Sequence, residues 1–207
     1  MGNRVIFTIN RQYGTGGHEI GERVAKELSI PFYDKEAISS AAQQANQMQD
    51  TVSLDDRAAN SLLYALAMGR YAYGSYGSVT APTMPMNDQL FILQSKVIKS
   101  VADRGSCVIV GRCAGYVLKD DPDMVSVFIY GDMQDRMRRV RDVYRIDAFR
   151  LEDFITKKDK QRANYFNFYT NLKWDDFSNY HLALNASCLG IERVVELLKA
   201  YQEIRSR

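Results

Sequence analysis

A glycine-rich turn near the start of the chain is the first place where the residue types could do chemistry. Gly14, Gly16 and Gly17 follow a short apolar run, residues 5–9, and a helical pattern with one apolar face begins directly after them. A strand, a glycine turn and a helix can hold a phosphate, because the first amides of a helix have no partner within it. The stretch predicts a phosphate-binding loop, although a turn that only packs a strand on a helix would show the same pattern.

The turn departs from the full phosphate-loop pattern, G-x-x-x-x-G-K-[ST]. When Gly16 is aligned with the last glycine, Arg11 falls at the first glycine and Gly17 falls at the lysine, with His18 next. The missing lysine would remove a cation from the site where phosphate charge develops. We hypothesise that Arg11 supplies that charge.

Polar residues follow two other apolar runs. Asp34 ends a short second strand, and Gly111 and Arg112 end the run 106–110, the clearest buried strand of the chain. In α/β folds, ligands bind outside the carboxyl ends of the strands. An arginine there suits a phosphate or carboxylate through its fork of donors, and a surface ion pair is the alternative. Asp34 could face a ligand or cap the next helix, and the two roles are compatible.

Two basic helical stretches follow the fourth apolar run. In the first, the arginines are offset around the helix, so most are expected on the solvated surface: Arg136, Arg138, Arg139, Arg141 and Arg145. In the second, Lys158 and Arg162 are four residues apart and share one helix face. Together they predict a basic flap, residues 145–165, that lies over a polyanion.

The apolar runs alternate with helical patterns, which predicts a single α/β domain, residues 1–207. Its core would be a five-stranded parallel sheet with helices on both faces and right-handed crossovers. The predicted strands cover about residues 4–9, 31–34, 106–110, 125–130 and 181–185.

Residues 36–104 interrupt this alternation and are predicted to form a helical insert that binds the acceptor. Its helices are expected at about 53–68 and 87–103, with a loop rich in glycine and tyrosine between them. We interpret the loop as a cover for a substrate, because basic residues do not alternate with its aromatics as nucleic-acid stacking would need. The aromatic residues of 163–180 are expected to pack against the core.

The composition excludes several classes of protein. A formal net charge of +2 gives no global signal for a nucleic-acid partner. Cys107, Cys113 and Cys188 have no metal-ligand spacing, and their odd number argues against a disulfide framework, as expected in the cytoplasm. The sequence predicts neither a signal peptide nor a membrane span. Two histidines cannot build a histidine-rich metal site.

The whole chain resembles the cytidylate kinase-like family, a nucleoside monophosphate kinase branch of the P-loop fold. The stretches that carry the resemblance occur in the family's order and span nearly the whole chain: residues 11–17, 30–35, 108–112, 127–130, 159–165 and 184–191. The insert matches least.

The resemblance implies that ATP and Mg²⁺ are the cofactors and that the partner is a small nucleotide. The donor phosphates are then expected at Gly14, Thr15, Gly16, Gly17, His18 and Glu19, with Ser187 beside the donor base. Arg112 is expected on the acceptor phosphate, and Asp34 near the start of the acceptor site. The cations expected at the transferring and donor phosphates are Arg136 or Arg139, Lys158 and Arg162, together with Arg11. Neither nucleic acid nor membrane is expected as a partner, and a homodimer stays open.

Three residues depart from the family pattern. Gly17 replaces its lysine, Glu19 replaces a small hydroxyl residue, and Cys113 replaces the aspartate after the arginine. Two readings therefore stand: an ATP-dependent kinase of a nucleotide or another small acceptor, or a nucleotide-binding sensor or interaction partner without kinase activity. The missing lysine favours the sensor, whereas Arg112 and the basic flap favour the kinase.

Overall fold

The computed structural model describes residues 4–49 and 86–205. The strands are β1 (Ile6–Arg11), β2 (Phe32–Tyr33), β3 (Cys107–Val110), β4 (Met124–Tyr130) and β5 (Leu182–Asn185). The helices are α1 (Gly17–Glu27), α2 (Lys35–Gln49), α3 (Met86–Asp103), α4 (Ala114–Val117), α5 (Met133–Asp142), α6 (Leu151–Thr170) and α7 (Ala186–Arg205). A short 3-10 helix, Phe177–Asn179, precedes β5.

The five strands form one sheet in the order β2-β3-β1-β4-β5, and every neighbouring pair is parallel. β1 lies at the centre, where Ile6 pairs with Cys107 on one side and Met124 on the other. The five-stranded parallel sheet predicted from the sequence is confirmed. Because all strands run the same way, their carboxyl ends lie along one edge, and this edge carries the candidate site.

Both faces of the sheet are covered by helices, so the central strands are mostly apolar and buried, with Thr8 and Ser126 as buried polar exceptions. Phe7 and Ile9 pack with α1 and α7, in a core that includes Val24 and Leu198. Ile6 points to the opposite face, because side chains alternate along a strand, and it packs there with residues of α2, α3 and α4.

A third cluster closes the carboxyl edge of the sheet. Phe128 of β4 packs with Cys113, Phe166 and Trp174, and the Phe128 and Trp174 rings lie 5.1 Å apart, edge to face. These contacts confirm the prediction that the aromatic segment 163–180 packs against the core, except at Phe168, which is 70% exposed.

The sequence placed β1 about two residues too early, since the strand ends at Arg11 rather than Ile9. The predicted helix 53–68 and the tyrosine-rich loop that follows lie outside the described residues, so the insert at 36–104 stays a prediction beyond α2 and α3. The flap at 145–165 corresponds mainly to α6, which continues to Thr170. Over the described ranges, no helix has the length and apolar character to cross a membrane.

Candidate active site

The glycine loop, residues 12–17, joins the central strand β1 to α1. Gly14 and Gly16 have φ angles of 84° and 78°, which residues with a Cβ rarely adopt. Thr15 is buried and its hydroxyl donates to the carbonyl of Gln12, at 2.9 Å. Gly16 provides no side-chain cap for α1, so the first amides of the helix are available to an anion.

A buried ion pair ties the glycine loop to the flap. The backbone N–H of Tyr13 donates to Asp159 Oδ1 at 2.7 Å, and Arg136 Nε donates to the Tyr13 carbonyl at 2.8 Å. Arg136 and Asp159 also pair with each other, and Arg136 is only 4% exposed. Since its guanidinium contacts both the loop and Asp159, Arg136 supports the loop from α5. The phosphate contact predicted for Arg136 stays a prediction.

The side chain of Arg11 fills the space that a phosphate-loop lysine would need. A Cβ on Gly17 would lie 2.6 Å from Arg11 Cβ and 2.8 Å from its Cγ. At the other end of the Arg11 side chain, Nη1 lies 2.6 Å from the position that a Cβ on Gly111 would have. Arg11 therefore extends from the start of α1 to the end of β3. Glycine is needed at position 17 for it to fit, whereas the contact at Gly111 is with the flexible end of the arginine side chain.

Arg11 carries its charge among other cations. Burial is the largest of the effects that lower its pKa to about 9, Arg162 and Arg112 act in the same direction, and Glu36 acts in the opposite direction. Arg162 donates from Nη1 to the Arg11 carbonyl at 2.7 Å and lies over the Tyr13 ring, 5.3 Å from its centre. Burial also lowers the pKa of Arg162. An anion at this point would relieve the repulsion between the two guanidinium groups.

Arg112 is held in a strained turn at the end of β3. Gly111, Arg112 and Cys113 all have positive φ angles, of 84°, 55° and 56°. Such angles are unfavourable for residues with a Cβ and occur where the surroundings impose them, often at ligand sites. The Arg112 guanidinium lies 5.2 Å from the centre of the Tyr165 ring. Cys113, which stands where the family has aspartate, is 2% exposed, and burial raises the pKa of its thiol to about 12.

Two cavities open beside these residues. The Arg112 cavity has a volume of about 440 Å³, and its lining includes Lys35, Glu36, Arg112, Lys158, Gln161 and Tyr165. The glycine-loop cavity has a volume of about 330 Å³, and its lining includes Gln12, Gly14, His18, Glu19, Arg139 and Tyr144. Arg11, Tyr13 and Arg162 line both cavities. The cavities therefore meet at two partly buried cations, Arg11 and Arg162.

Several predicted site residues lie outside the linings of these two cavities. They are Thr15, Gly16, Gly17, Asp34, Arg136 and Ser187. Asp34 accepts the Ala37 N–H at 2.9 Å and so caps α2. It also lies 3.2 Å from His18 Nε2. Although burial opposes them, these contacts hold the pKa of Asp34 below its usual value. Ser187 accepts the N–H of Asp132 at 2.8 Å.

Glu19 has cationic partners on two helices. It pairs with Arg139 of α5 and with Arg23, one turn further along α1. These pairs explain how a carboxylate is tolerated beside a predicted phosphate loop. They also occupy Arg139, which would have to exchange Glu19 for a phosphate oxygen in order to bind a nucleotide.

Sequence reasoning missed Tyr13, Glu36, Asp159 and Tyr165 as parts of the site. Asp159 and Tyr165 lie within the stretch 159–165 that carried the family resemblance, but no local pattern assigned either of them a partner. Tyr165 was grouped with the aromatics of the core, and it does pack at the edge of the third cluster. Its contact with Arg112 depends on how α6 crosses the sheet.

The chain is similar to several proteins of known structure. An uncharacterized protein from Eubacterium ventriosum is 25% identical, with a TM-score of 0.72 over 97% of this chain and 99% of that one. A shikimate kinase from Bacteroides thetaiotaomicron is 16% identical, with a TM-score of 0.50 over 97% and 99% of the two chains. A gluconokinase from Sinorhizobium meliloti is 11% identical, with a TM-score of 0.53 over 100% and 98%. At these identities, the similarity to the two kinases shows only that this chain has the same fold as they do.

Comparison with curated proteins found no match. The family model described as the cytidylate kinase-like family matches residues 6–188, which is most of the chain. The resemblance seen in the sequence is therefore confirmed, and this protein belongs to the cytidylate kinase-like family.

Proposed function

We propose that this protein transfers a phosphoryl group from ATP to a small phosphate-bearing acceptor, for which a cytidylate-like nucleoside monophosphate is the first candidate. The observation that carries the proposal is the meeting of two cavities at Arg11 and Arg162. Phosphoryl transfer needs a donor and an acceptor in line, with positive charge at the group that moves between them. Two adjoining cavities with cations at their junction meet that requirement.

In this proposal the glycine-loop cavity holds the donor phosphates. The α1 amides and the macrodipole of the helix favour an anion there. Arg139 lies within the lining and becomes available when it leaves Glu19. Tyr144, two residues beyond the end of α5, lies under the Arg139 guanidinium, with its ring centre 5.7 Å away.

The Arg112 cavity holds the acceptor. Arg112 and Lys158 supply positive charge to its anionic group, and Glu36 can accept a hydrogen bond from a hydroxyl or amine. Arg11 and Arg162 lie between the two sites and stabilise the charge that spreads over the transferring phosphoryl group. Such a reaction depends on position and charge, so the proposal assigns no general base.

The donor residues fit a nucleotide phosphate chain better than a dedicated metal cage. Among the described residues, no group of three or more His, Cys, Asp or Glu side chains could hold a metal ion. Glu19 is the one carboxylate in the described lining of the glycine-loop cavity. Mg²⁺ commonly binds through one or two carboxylates and substrate phosphates, and there it neutralises phosphate charge. Glu19 would be its protein contact.

A nucleotide-binding sensor without kinase activity is the second candidate. The absence of a lysine at Gly17 and the pairing of Arg139 with Glu19 both favour it. A sensor would bind ATP in the glycine-loop cavity and would not need cations at the junction of two cavities.

The experiment is a coupled assay of ATP consumption with CMP, dCMP, UMP, AMP and common small metabolites, with chromatography to identify the product. Phosphorylation of one acceptor, reduced at least about a hundredfold in Arg112→Met, is the expected result. Arg141→Met, which removes an exposed arginine, serves as the control. Binding of ATP by calorimetry without turnover of any acceptor would contradict the kinase and support the sensor.

A further inference from the structure

A buried glutamine lies between the insert helices and the flap. Gln94 of α3 is 1% exposed, yet both ends of its amide have partners. Its Nε2 donates to Ser39 Oγ of α2 at 3.0 Å, and its Oε1 accepts the Tyr165 hydroxyl of α6 at 3.2 Å. A buried amide is costly unless it is paired, so this arrangement fixes the position of three helices relative to one another.

Tyr165 carries the contact from Gln94 to the acceptor site. Its ring lies under the Arg112 guanidinium, 5.2 Å from it, and lines the Arg112 cavity. Phe91 and Tyr169 pack against the ring, with their centres 6.4 Å and 4.9 Å away. Apolar packing holds the plane of the ring, and the hydrogen bond from the hydroxyl to Gln94 fixes the position of the ring within that plane.

Arg112 itself has few other restraints. Among the salt bridges of the described residues none includes Arg112, and its strained turn sets only the direction in which the side chain leaves β3. An arginine stacked on an aromatic ring keeps its donors free at the edge of the guanidinium plane, where an anion can bind them. The ring therefore decides where those donors point.

We propose that Tyr165, held by Gln94, is a positioning residue that aims Arg112 into the acceptor cavity. The inference rests on the proposed function, in which Arg112 binds the anionic group of the acceptor. It adds a specificity element that extends from the insert helices α2 and α3 through the flap to the end of β3. Neither Gln94 nor Ser39 lines the cavity, so both act through Tyr165.

The test compares tyrosine variants on the same helix. Tyr165→Phe keeps the ring under Arg112 and removes the hydroxyl, which donates to Gln94 Oε1 and also interacts with the Arg112 side chain. Tyr169→Phe is the matched control, because its hydroxyl also crosses from α6 to α3, to Asp88 Oδ1 at 3.1 Å, but is outside the cavity lining. We expect Tyr165→Phe to raise the KM for the acceptor about two- to tenfold and to leave the KM for ATP unchanged. Tyr169→Phe should change neither constant.

A second variant tests the role of Gln94. Gln94→Met removes the amide and keeps a similar volume, and it should raise the acceptor KM as Tyr165→Phe does. Gln94→Met leaves the Tyr165 hydroxyl beside Arg112, and both changes break the hydrogen bond between Tyr165 and Gln94, so the double variant should be no worse than Tyr165→Phe alone. Additive increases of the acceptor KM in the double variant would overturn the proposal. An increase in Tyr169→Phe as large as that in Tyr165→Phe would also overturn it.

A readout without turnover separates this inference from the proposed function. The Nε–Hε NMR signal of Arg112, assigned with Arg112→Lys, should move in Tyr165→Phe and Gln94→Met but not in Tyr169→Phe. When inorganic phosphate is added as the probe, the first two variants should need a higher phosphate concentration than the wild-type protein to shift this signal. If no acceptor is phosphorylated but these shifts occur, the proposed function fails and the positioning role stands. An Arg112 signal that is unchanged in both variants would overturn the positioning role.

Discussion

At the scale of single residues, the charge that we propose for phosphate binding at Arg11 has a cost in stability. Burial and the nearby Arg162 lower its pKa to about 9, so the folded state disfavours the charged form. We expect Arg11→Met to stabilise the ligand-free protein by about 1–2 kcal/mol at pH 7 and to weaken ATP binding. Chemical denaturation and calorimetry measure the two effects.

The pH dependence of that stability gain follows from the direction of the shift. Below pH 9, Arg11 is charged in both states and its cost is fully present. Between pH 9 and pH 12.5 the unfolded chain binds the extra proton, so the wild-type protein gains stability as the pH rises. The advantage of Arg11→Met should therefore be smaller at pH 10 than at pH 7. Arg141→Met is the control, and an equal gain in that variant would contradict the assignment.

Arg11 and Gly17 are also expected to be interdependent, because both cannot carry a full side chain. A Cβ on Gly17 would lie 2.6 Å from Arg11 Cβ. Gly17→Lys alone should destabilise the protein by about 1–3 kcal/mol through overpacking. The double variant Arg11→Gly/Gly17→Lys removes the clash and returns the lysine to its usual position. It should recover both melting temperature and ATP affinity relative to Gly17→Lys.

Arg11→Gly is the control for that pair, since it has neither the arginine at position 11 nor a lysine at position 17. Stability and affinity are measured by thermal unfolding and by titration with ATP. If the losses of stability and ATP affinity in the double variant equal the sum of the losses in the two single variants, Arg11 does not occupy the place of the missing lysine.

At the scale of elements, the flap helix α6 is fastened to the glycine loop by one buried carboxylate. Asp159 accepts the Tyr13 N–H and pairs with Arg136, and the two side chains are 16% and 5% exposed. Asp159→Ala leaves Arg136 buried without its partner, so we expect a loss of about 3 kcal/mol in the free energy of unfolding. Denaturant titration measures that loss.

The same helix offers a matched control. Asp153 pairs with Arg150 near the start of α6, but both side chains are largely exposed, at 60% and 72%. Asp153→Ala should cost less than about 1 kcal/mol, because exposed ion pairs are weak. Similar losses in the two variants would show that the buried pair does not fasten the loop.

The sequence predicted most of the elements but fewer of the contacts. Strand alternation and the apolar runs were sufficient for the parallel sheet, because period and composition depend on local residues. The direction of the Asp159 carboxylate and the stacking of Tyr165 on Arg112 were not predictable, since both depend on how α6 crosses the sheet. Arg11 was predictable only in part. Its alignment with the first glycine of the loop pattern suggested a replacement charge, but its close approach to Gly17 depends on how β1 and α1 meet in three dimensions.

At the scale of the whole molecule, the parallel order β2-β3-β1-β4-β5 brings distant residues to one edge. Arg11 is the last residue of the central strand β1, and Arg112 lies two residues beyond the end of its neighbour β3. Arg162 reaches the same edge from α6, where it bonds to the Arg11 carbonyl. The two cavities are therefore joined by backbone topology, and they share Tyr13 and two cations.

A ligand that spans both cavities tests this arrangement. We expect a dinucleoside polyphosphate, with adenosine and cytidine joined by five phosphates, to raise the melting temperature more than ATP and CMP added together. One molecule would place phosphates at Arg11 and Arg162 and would lose less translational freedom than two. Arg162→Met should remove most of that advantage, whereas Arg138→Met, on the exposed side of α5, should retain it. If the linked compound stabilises the protein no more than ATP alone, the two cavities do not form one continuous site.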